Sequence, residues 1–434
     1  MSILEKIKNN WDFKKTTEQN VIHFSNEKEQ KRRKLNKIAI WLMVIGIVLG
    51  LLSENSLLFI PFFIGAISYG SEYVFNNANN TGLTHIAVLD DTHFVVVYTA
   101  ASDYGYAIIG TISSGNQISY GSAYQYNYAS YDVSVTALDA THFVITYSDN
   151  SAGNDGFAII GVVSNGNQIA YGSEYEFNNA DTFFTSVAKI DATHFVVMFS
   201  HGGSSYRGYG SIGTISNENQ IIFSDPYLAV NSYSAIHQIS LLDSTHFVDV
   251  YTNSNGYGNA IVGTISGTSI SFGSSYQFNG NNTPLVSVSA LDATHFVIAY
   301  DKSDSDGYAV IGTVSNGNQI SYGSEYEFNN ADTYGLCVVS LSSSEFIISY
   351  AHSDNDGFAI LGTVSSVNQI AYGTAYEFNN AETGFPSMSK ISSTHFVISY
   401  IDYGNSNKGT AIIGNIPAPV STFSHHYRRR LLFR

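Results

Sequence analysis

The sequence predicts an all-β fold, and both the composition and an internal repeat support this prediction. Of the 434 residues only 12% are charged, whereas 14% are aromatic and 37 are glycine. Few charges combined with many aromatic residues and glycines favour strands joined by tight turns over helices. The hydrophobic fraction of 44% is enough to fill a core, which argues against a disordered chain.

One short motif occurs seven times along the chain. In six copies a histidine precedes a phenylalanine, and in the remaining copy Glu345 stands in the place of the histidine. The histidines are His93, His142, His194, His246, His295 and His395. Successive copies lie between 49 and 52 residues apart. A period of this length indicates a propeller or a repeat array.

Each repeat contains the pattern of four strands. In the copy around His295 the strands are predicted at 285–291, 295–300, 308–314 and 319–328. These runs are rich in Val, Ile, Tyr and Phe and are separated by Asn-Gly and Asp-Gly turns, as in β-hairpins. The second strand is apolar on both faces, so its sheet is expected to be buried on both sides. A four-stranded sheet packed between two similar sheets is a propeller blade.

The two ends of the repeat region predict a closed ring. The last copy stops after its third strand, at 411–416. The missing fourth strand occurs at the start of the region, because 67–76 matches 320–329. The N-terminal strand is therefore predicted to complete the last blade, which leaves no open sheet edge. The sequence thus predicts a seven-bladed β-propeller of four-stranded blades at 66–416.

The repeat also resembles a known group. Its consensus is Leu-Asp-Ala-Thr-His-Phe-Val-x-x-Tyr, then Ala-Ile-x-Gly-Thr-Val-Ser, then Tyr-Gly-Ser-x-Tyr-x-Phe-Asn. It is similar to uncharacterised propeller repeats of large predicted bacterial surface or secreted proteins, over about 66–416. The resemblance implies the fold and a role at the cell surface, and it implies no activity.

The segments outside the repeats suggest a membrane anchor. Residues 1–37 are charged and basic, 38–65 hold two apolar runs separated at 53–56, and 417–434 form a basic tail. One interpretation of 38–65 is a single tilted transmembrane helix with the propeller outside the cytoplasm. A short helical hairpin would leave the propeller on the cytoplasmic side, and a signal peptide is the third interpretation. We expect a membrane protein whose propeller is extracytoplasmic.

Charge and loop composition indicate what such a propeller could bind. Between residues 38 and 416, acidic residues outnumber basic ones by thirty to five, which disfavours nucleic acid as a partner. Acidic loops carry Asp304, Asp306, Asp354 and Asp356 beside glycines. Clustered oxygens of this kind could hold calcium weakly, but Asp-Gly sequences also simply form turns. No other cofactor is expected.

Aromatic residues near the links between blades are candidates for ligand binding. They are Tyr131, Phe183, Tyr233, Tyr334 and Phe385, and the divergent loop of the third repeat adds Tyr206 and Arg207, one of the few cations. Rings with a polar edge suit stacking on sugars, although the same rings could pack between blades. Both tryptophans, Trp11 and Trp41, lie outside the repeats. A glycan or a protein is the expected ligand.

The repeated histidines are expected to be structural. One histidine in each of six blades cannot converge on a single metal ion, so a hydrogen bond to the local Asp turn is the predicted role. The fourth repeat departs from the pattern with Asp249 in an apolar strand and His237 in a first strand. A buried carboxylate near a histidine is a functional candidate, although drift of a decaying repeat explains it equally well.

No hydrolase elbow, phosphate loop or zinc-protease motif occurs in the sequence, so catalysis is not expected. The sequence therefore predicts a membrane-anchored, surface-exposed propeller that acts as a binding or adhesion module. The alternative is a structural or display protein that associates with copies of itself.

Overall fold

The computed structural model describes residues 66–416, apart from 79, 218, 353, 366 and 367. The predicted basic segment at 1–37, the predicted membrane segment at 38–65 and the basic tail at 417–434 lie outside the described residues. Within the described part of the chain, no helix is both long enough and apolar enough to cross a membrane.

Antiparallel strands make up the described chain, together with four 3₁₀ turns. Two short strands come first, β1 (Ser68–Tyr69) and β2 (Tyr73–Asn76). Sheet I then consists of β3 (Thr84–Val88), β4 (His93–Thr99), β5 (Gly105–Ser113), β6 (Gln117–Tyr120) and β7 (Tyr124–Asn127). Sheet II consists of β8 (Ser130–Ala137), β9 (His142–Asp149), β10 (Asp155–Ser164), β11 (Gln168–Tyr171) and β12 (Tyr175–Asn178).

The next two sheets share one long strand. Sheet III consists of β13 (Thr182–Lys189), β14 (His194–His201), β15 (Arg207–Ser216), β16 (Gln220–Phe223) and the first part of β17 (Tyr227–Leu241). Sheet IV consists of the rest of β17, β18 (His246–Asn253), β19 (Tyr257–Ser266), β20 (Ser269–Phe272) and β21 (Tyr276–Asn282). Because β17 pairs with β15 at one end and with β18 at the other, sheets III and IV are continuous as nine strands.

The remaining strands form three more groups. Sheet V consists of β22 (Val286–Ala290), β23 (His295–Asp301), β24 (Gly307–Ser315) and β25 (Gln319–Asn329). Sheet VI consists of β26 (Tyr334–Ser342), β27 (Glu345–Ala351), β28 (Gly357–Val364), β29 (Ile370–Tyr372) and β30 (Tyr376–Asn379). The seam sheet consists of β31 (Thr383–Lys390), β32 (His395–Asp402) and β33 (Lys408–Asn415), with β1 and β2. The 3₁₀ turns are Ala101–Asp103, Asn150–Ala152, Gly202–Ser204 and Tyr403–Asn405.

The N-terminal strands complete the last sheet, as the matching sequences at the two ends predict. Both β1 and β2 pair antiparallel with β33, with Ser68 opposite Asn415 and Tyr73 opposite Ala411. The Tyr400 hydroxyl donates a hydrogen bond of 2.9 Å to Glu72. Two segments from opposite ends of the repeat region are therefore held in one sheet.

The first strands of the sheets are joined to one another by serine side chains. Ser134 Oγ on β8 accepts a hydrogen bond of 3.3 Å from the Val187 amide on β13. Ser389 Oγ on β31 accepts one of 3.1 Å from the Val88 amide on β3. The strand β3 contacts both β31 and β8, so the last sheet packs against the first as well as against its own predecessor. This packing of several antiparallel sheets is consistent with propeller blades.

Apolar side chains fill the space between neighbouring sheets. On β23, Phe296, Ile298 and Tyr300 pack towards sheet IV, whereas Val297 and Ala299 pack towards sheet VI. All five side chains are fully buried. The strand is thus apolar on both faces because each face contacts a different sheet, as the sequence predicts.

The repeated Asp-x-Thr-His turns are each stabilised by hydrogen bonds within the turn. Asp139 Oδ1 accepts hydrogen bonds from the Thr141 amide (2.7 Å) and the His142 amide (2.8 Å), and it lies 3.0 Å from His142 Nδ1. Partial burial alone would raise the pKa of Asp139, but these hydrogen bonds outweigh it and lower the pKa. The side chains of Asp90, Asp191, Asp243 and Asp292 bond their own Thr and His in the same way. At His395 the carboxylate is replaced by Ser392 Oγ, 3.4 Å from Nδ1.

Candidate ligand-binding surface

The loops between second and third strands lie beside the links between sheets. Asn154, in the loop before β10, donates a hydrogen bond of 3.3 Å from its side chain to Asp181 in the link before β13. The backbone carbonyl of Asn154 also accepts the Thr182 amide, at 2.8 Å. Loop and link therefore form one surface at this end of the sheets, and the predicted ligand-binding residues lie on it.

Three of the predicted aromatic residues meet on this surface. The Tyr206 ring centroid lies 5.3 Å from that of Phe183 and 5.5 Å from that of Tyr233. Tyr206 and Tyr233 are 38% and 40% exposed, and Phe183 is half-buried. We call these three residues the aromatic patch. They present contiguous ring surface to solvent, where most rings of the described chain are packed between sheets.

Regular backbone positions two of the three rings. Phe183 lies on β13 and Tyr233 on β17, directly opposite Arg207 in the pairing of β17 with β15. Tyr206 lies in the loop after the 3₁₀ turn at Gly202–Ser204, with a φ of 58°. A bulky residue in the left-handed region is unfavourable, and such strain is often kept at binding sites.

Polar groups adjoin the rings. Asp181 precedes Phe183 by two residues and is exposed, as are Asn231 and Ser232 immediately before Tyr233. Arg207 follows Tyr206 and is half-buried. The surface therefore combines an apolar face with hydrogen-bonding groups of both signs, the combination used to orient small polar ligands.

The other predicted aromatic residues have different neighbours. The Tyr131 hydroxyl donates to Asp103, beside a perpendicular pair of rings formed by Tyr104 and Tyr128. The Tyr334 hydroxyl donates to Asp332 at 3.1 Å, and this hydrogen bond raises the pKa of the phenol. Phe385 is 50% exposed, and its carbonyl accepts from Thr84. These three residues remain separate candidates.

A bulge at the start of several first strands was not anticipated from the sequence. The pairing with the second strand shifts there, and one residue adopts a positive φ. The residues are Asp132 (47°), Phe184 (55°), Ile236 (57°) and Phe385 (45°). Their side chains share no property, so no sequence pattern marks them. A bulge redirects the side chains on either side of it, here Tyr131 and Phe183 among them.

The acidic loops are held largely by contacts with their own neighbours. Asp304 accepts hydrogen bonds from the Asp306 amide (3.3 Å) and from the Tyr308 hydroxyl (3.4 Å). Asp354 pairs with His352, and burial raises the pKa of Asp356 with a further contribution from Asp354. Among the described residues, no group of three or more His, Cys, Asp or Glu is arranged to hold a metal ion. Calcium binding stays a prediction.

A depression on the opposite end of the sheets lies between sheets V and VI. Its volume is about 230 Å³, and its lining includes Asp292, His295, Ser344 and Asn368. Ligand pockets usually measure about 300–1,000 Å³. The depression is small by that measure, and Asp292 and His295 already bond each other across their turn.

A fully buried polar chain lies beneath the aromatic patch. His237 Nδ1 lies 2.9 Å from Asp249 Oδ2, and His237 Nε2 lies 3.0 Å from Ser234 Oγ. All three side chains are completely buried. Burial raises the pKa of Asp249, and the adjacent His237 opposes this shift. The sequence singled out His237 and Asp249, and the structure brings them into contact and adds Ser234.

Comparisons with known proteins show a likeness in fold to solved structures. No family model and no curated protein matches the sequence. A lectin from Burkholderia pseudomallei matches with a TM-score of 0.59 and 8% identity, over 78% of this chain and 99% of the lectin. A protein of unknown function from Dyadobacter fermentans matches with a TM-score of 0.51 and 8% identity, over 81% and 99% of the two chains. The NanB sialidase of Streptococcus pneumoniae gives 0.47 and 10% identity, over 81% and 70%.

Proposed function

We propose that residues 66–416 form a closed seven-bladed propeller that binds carbohydrate through the aromatic patch. We further propose that 38–65 anchor the chain in a membrane, with the propeller outside the cytoplasm. The protein would then be a surface binding or adhesion module rather than an enzyme. The observation that carries the proposal is the cluster of Phe183, Tyr206 and Tyr233, partly exposed and fixed by two strands.

The chemistry of the patch suits a sugar. The C–H faces of a pyranose stack on tyrosine rings, and its hydroxyls need donors and acceptors beside those rings. Asp181, Asn231 and Arg207 lie within two residues of these rings in the sequence, with Asp181 and Asn231 exposed and Arg207 half-buried. The likeness in fold to a lectin supports the proposal without assigning the site, since one fold carries many functions.

The test is glycan binding by the full-length protein in detergent. A glycan array identifies a ligand, and calorimetry measures its affinity for the wild type and for Tyr206→Ala and Tyr233→Ala. Loss of about 1.4 kcal/mol of stacking corresponds to a tenfold loss of affinity, which we expect for each variant. Ile222→Ala is the matched control, because Ile222 is 65% exposed on β16 and lies outside the patch.

Two outcomes would contradict the glycan proposal. The first is the absence of any ligand on the array, and the second is equal affinity of wild type and both tyrosine variants. A concentration-dependent increase in mass by ultracentrifugation, lost in the tyrosine variants, would instead identify the patch as a self-association surface. For the anchor, protease added to intact cells should cleave the propeller, and resistance in intact but not lysed cells would place it inside.

A further inference from the structure

The junction between sheets III and IV departs from the other junctions at four positions, Ala229, Val230, His237 and Asp249. At the junction of sheets II and III, the Phe177 ring on β12 covers Gly156, at 2.5 Å from where a glycine Cβ would lie. At the next junction β17 has Ala229 in the corresponding position. There Gly208 is covered by His237, whose Cε1 lies 2.9 Å from where a Cβ of Gly208 would be. The imidazole therefore occupies the place of the missing phenylalanine ring.

His237 also replaces the ring contact that Phe177 makes with the next sheet. Phe177 packs on Phe199 of the next sheet, with ring centroids 5.1 Å apart. His237 stacks on Tyr251, which occupies the position of Phe199, with centroids 5.6 Å apart and an interplanar angle of 27°. A ring from the first strand of sheet IV thus replaces a ring from the fourth strand of sheet III.

A hydrogen bond is replaced at the same place. Asn178 donates from its side chain to Thr182 Oγ1 at 2.8 Å, which holds the link before β13. In β17 the corresponding residues are Val230 and Ser234, so the asparagine is lost and the hydroxyl is kept. His237 Nε2, 3.0 Å away, becomes the partner of Ser234 Oγ.

Asp249 is the fourth residue that differs at this junction, and it contacts His237. The corresponding residues on the second strands of sheets III and V are the buried Val197 and Ile298. Its carboxylate lies 2.9 and 3.1 Å from His237 Nδ1. Asp249 thus contacts one nitrogen of the imidazole, and Ser234 Oγ contacts the other. These two contacts together fix the orientation of the ring.

The chain of Ser234, His237 and Asp249 ends at the backbone beneath the two exposed tyrosines. The Ser234 amide donates to the Tyr206 carbonyl at 2.8 Å, and its hydroxyl lies 3.4 Å from the same oxygen. Ser200 Oγ donates to the Ser234 carbonyl at 2.7 Å. Ser234 directly follows Tyr233. With its hydroxyl completely buried, Ser234 is inaccessible to a substrate, so this geometry is not that of a working nucleophile.

The link itself also differs. Five strands, β2, β7, β12, β25 and β30, end at the asparagine that corresponds to Asn178. The strand β21 runs three residues past its Asn279, to Asn282. Only β17, among the described strands, passes through its link into the next sheet. This continuity places Tyr233 opposite Arg207 and next to Tyr206.

We propose that Ser234, His237 and Asp249 are positioning residues that set the geometry of the aromatic patch for its ligand. They replace the hydrogen bond that the asparagine makes at the preceding junction, and they leave the link extended so that the Tyr233 ring packs against the Tyr206 ring. The proposal rests on the proposed function of the patch as a carbohydrate site. It assigns a role in binding to a polar chain that is completely buried.

The test returns this junction to the pattern of the preceding one. The variant combines Ala229→Phe, Val230→Asn, His237→Thr and Asp249→Val in the full-length protein, and it alters none of the three patch residues. The introduced residues already pack together between sheets II and III, so the variant is expected to fold. A second variant, Asp249→Asn, keeps the shape of the side chain and replaces one carboxyl oxygen with an amide nitrogen.

Two quantities are measured, the affinity for the glycan selected on the array and hydrogen exchange over 227–241. The fourfold variant should keep the wild-type melting temperature within a few degrees, lose at least tenfold in affinity and exchange faster across the link at 230–233. Asp249→Asn should lose several-fold in affinity. Exchange over 175–189, the link that already has the asparagine, should not change.

Unchanged affinity of the fourfold variant, or unchanged exchange across 230–233, overturns the positioning role. If the wild type binds no glycan, the proposed function fails, and the exchange measurement alone decides whether the chain holds the link. If the fourfold variant does not fold, Asp249→Asn supplies the decision, because wild-type affinity in that variant also overturns the proposal.

Discussion

The seam between β2 and β33 joins the two ends of the repeat region, and Phe75 lies at its centre. Its ring is 7% exposed, lies 5.2 Å from the Tyr98 ring and covers Gly409. Phe328 on β25 is the equivalent residue inside the chain, 8% exposed and 5.2 Å from the Tyr350 ring. The variants Phe75→Ala and Phe328→Ala therefore remove nearly identical contacts from two different sheets. Phe75 lies in the sheet that joins both ends of the repeat region, and Phe328 lies in a sheet formed by consecutive strands.

The two losses of packing should be similar in size. Truncation of a buried phenylalanine costs about 3–5 kcal/mol. With an unfolding entropy of about 2.1 cal/mol/K per residue over roughly 350 residues, this loss lowers the melting temperature by about 4–7 °C. The consequences of Phe75→Ala should extend further, because β2 has four residues and is tethered to its sheet only through β33. The seam can then open while the other sheets remain folded.

Hydrogen exchange and urea unfolding distinguish the two cases. Phe328→Ala should lower the unfolding midpoint without changing the slope of free energy against urea. Phe75→Ala should lower the slope and should accelerate exchange at 67–76 and 408–415 well before global unfolding. Equal slopes in both variants, together with wild-type exchange at the seam of Phe75→Ala, would refute the idea that the seam sheet depends on this strand.

Three further predictions concern single side chains. Burial, with a smaller contribution from Asp304, raises the pKa of Asp301 to about 7. The folded state therefore holds a proton that the unfolded chain releases near pH 4, and the free energy of unfolding should fall between pH 4 and 7. Urea unfolding at each pH should show no such fall in the variant Asp301→Asn. The fall should persist in the control variant Asp225→Asn, because Asp225 is exposed. A Cβ at Gly312 would overlap the Phe296 ring, so Gly312→Ala should destabilise by about 1–3 kcal/mol. Phe296→Leu in the same chain should offset part of that loss, and additive losses in a double-mutant cycle would contradict the overlap. Asp139→Ala removes the acceptor of two backbone amides and should cost about 1–3 kcal/mol at pH 7. Because the pKa of Asp139 is lowered, the difference from wild type should shrink as the pH falls below about 4, and an equal difference at pH 3 and pH 7 would argue against it.

The positions of the strands could be predicted because each repeat supplies the same pattern of apolar residues and turns. The predicted strands around His295 agree with β22 to β25 to within one residue at each end. The break in most fourth strands was not predicted. At that break Gly121 lies against the backbone of Asn167 in the next sheet, 2.6 Å from where a Cβ would be. A contact between two sheets has no signature within a single repeat.

The candidate site could be predicted only in part. The links between sheets were identified as the places where aromatic residues reach the surface, since links follow from the order of the strands. That Tyr206 and Tyr233 meet, while Tyr131 and Tyr334 pair with carboxylates instead, depends on local backbone. The contact between Tyr206 and Tyr233 depends on the continuity of β17, and no periodic pattern in the sequence predicts that continuity.

A repeat protein contains its own controls, and they bear on whether the polar chain at the junction of sheets III and IV arose by drift. Glu345 replaces a histidine in a turn where Ser342 and Ser344 also replace the aspartate and the threonine, and the pairing of β27 with β28 is the same as that of β23 with β24. These departures therefore leave the pairing of the strands unchanged.

The departures at Ala229 and Asp249 behave differently, because each of them would be costly without His237. Ala229 without the imidazole would leave the space of a phenylalanine ring empty, at about 3–5 kcal/mol. Asp249 without His237 would be an unpaired buried carboxylate, at a comparable cost. Independent drift would have passed through such intermediates. The complementarity of the four residues, directly beneath two exposed tyrosines, is better explained by a function of the surface above them.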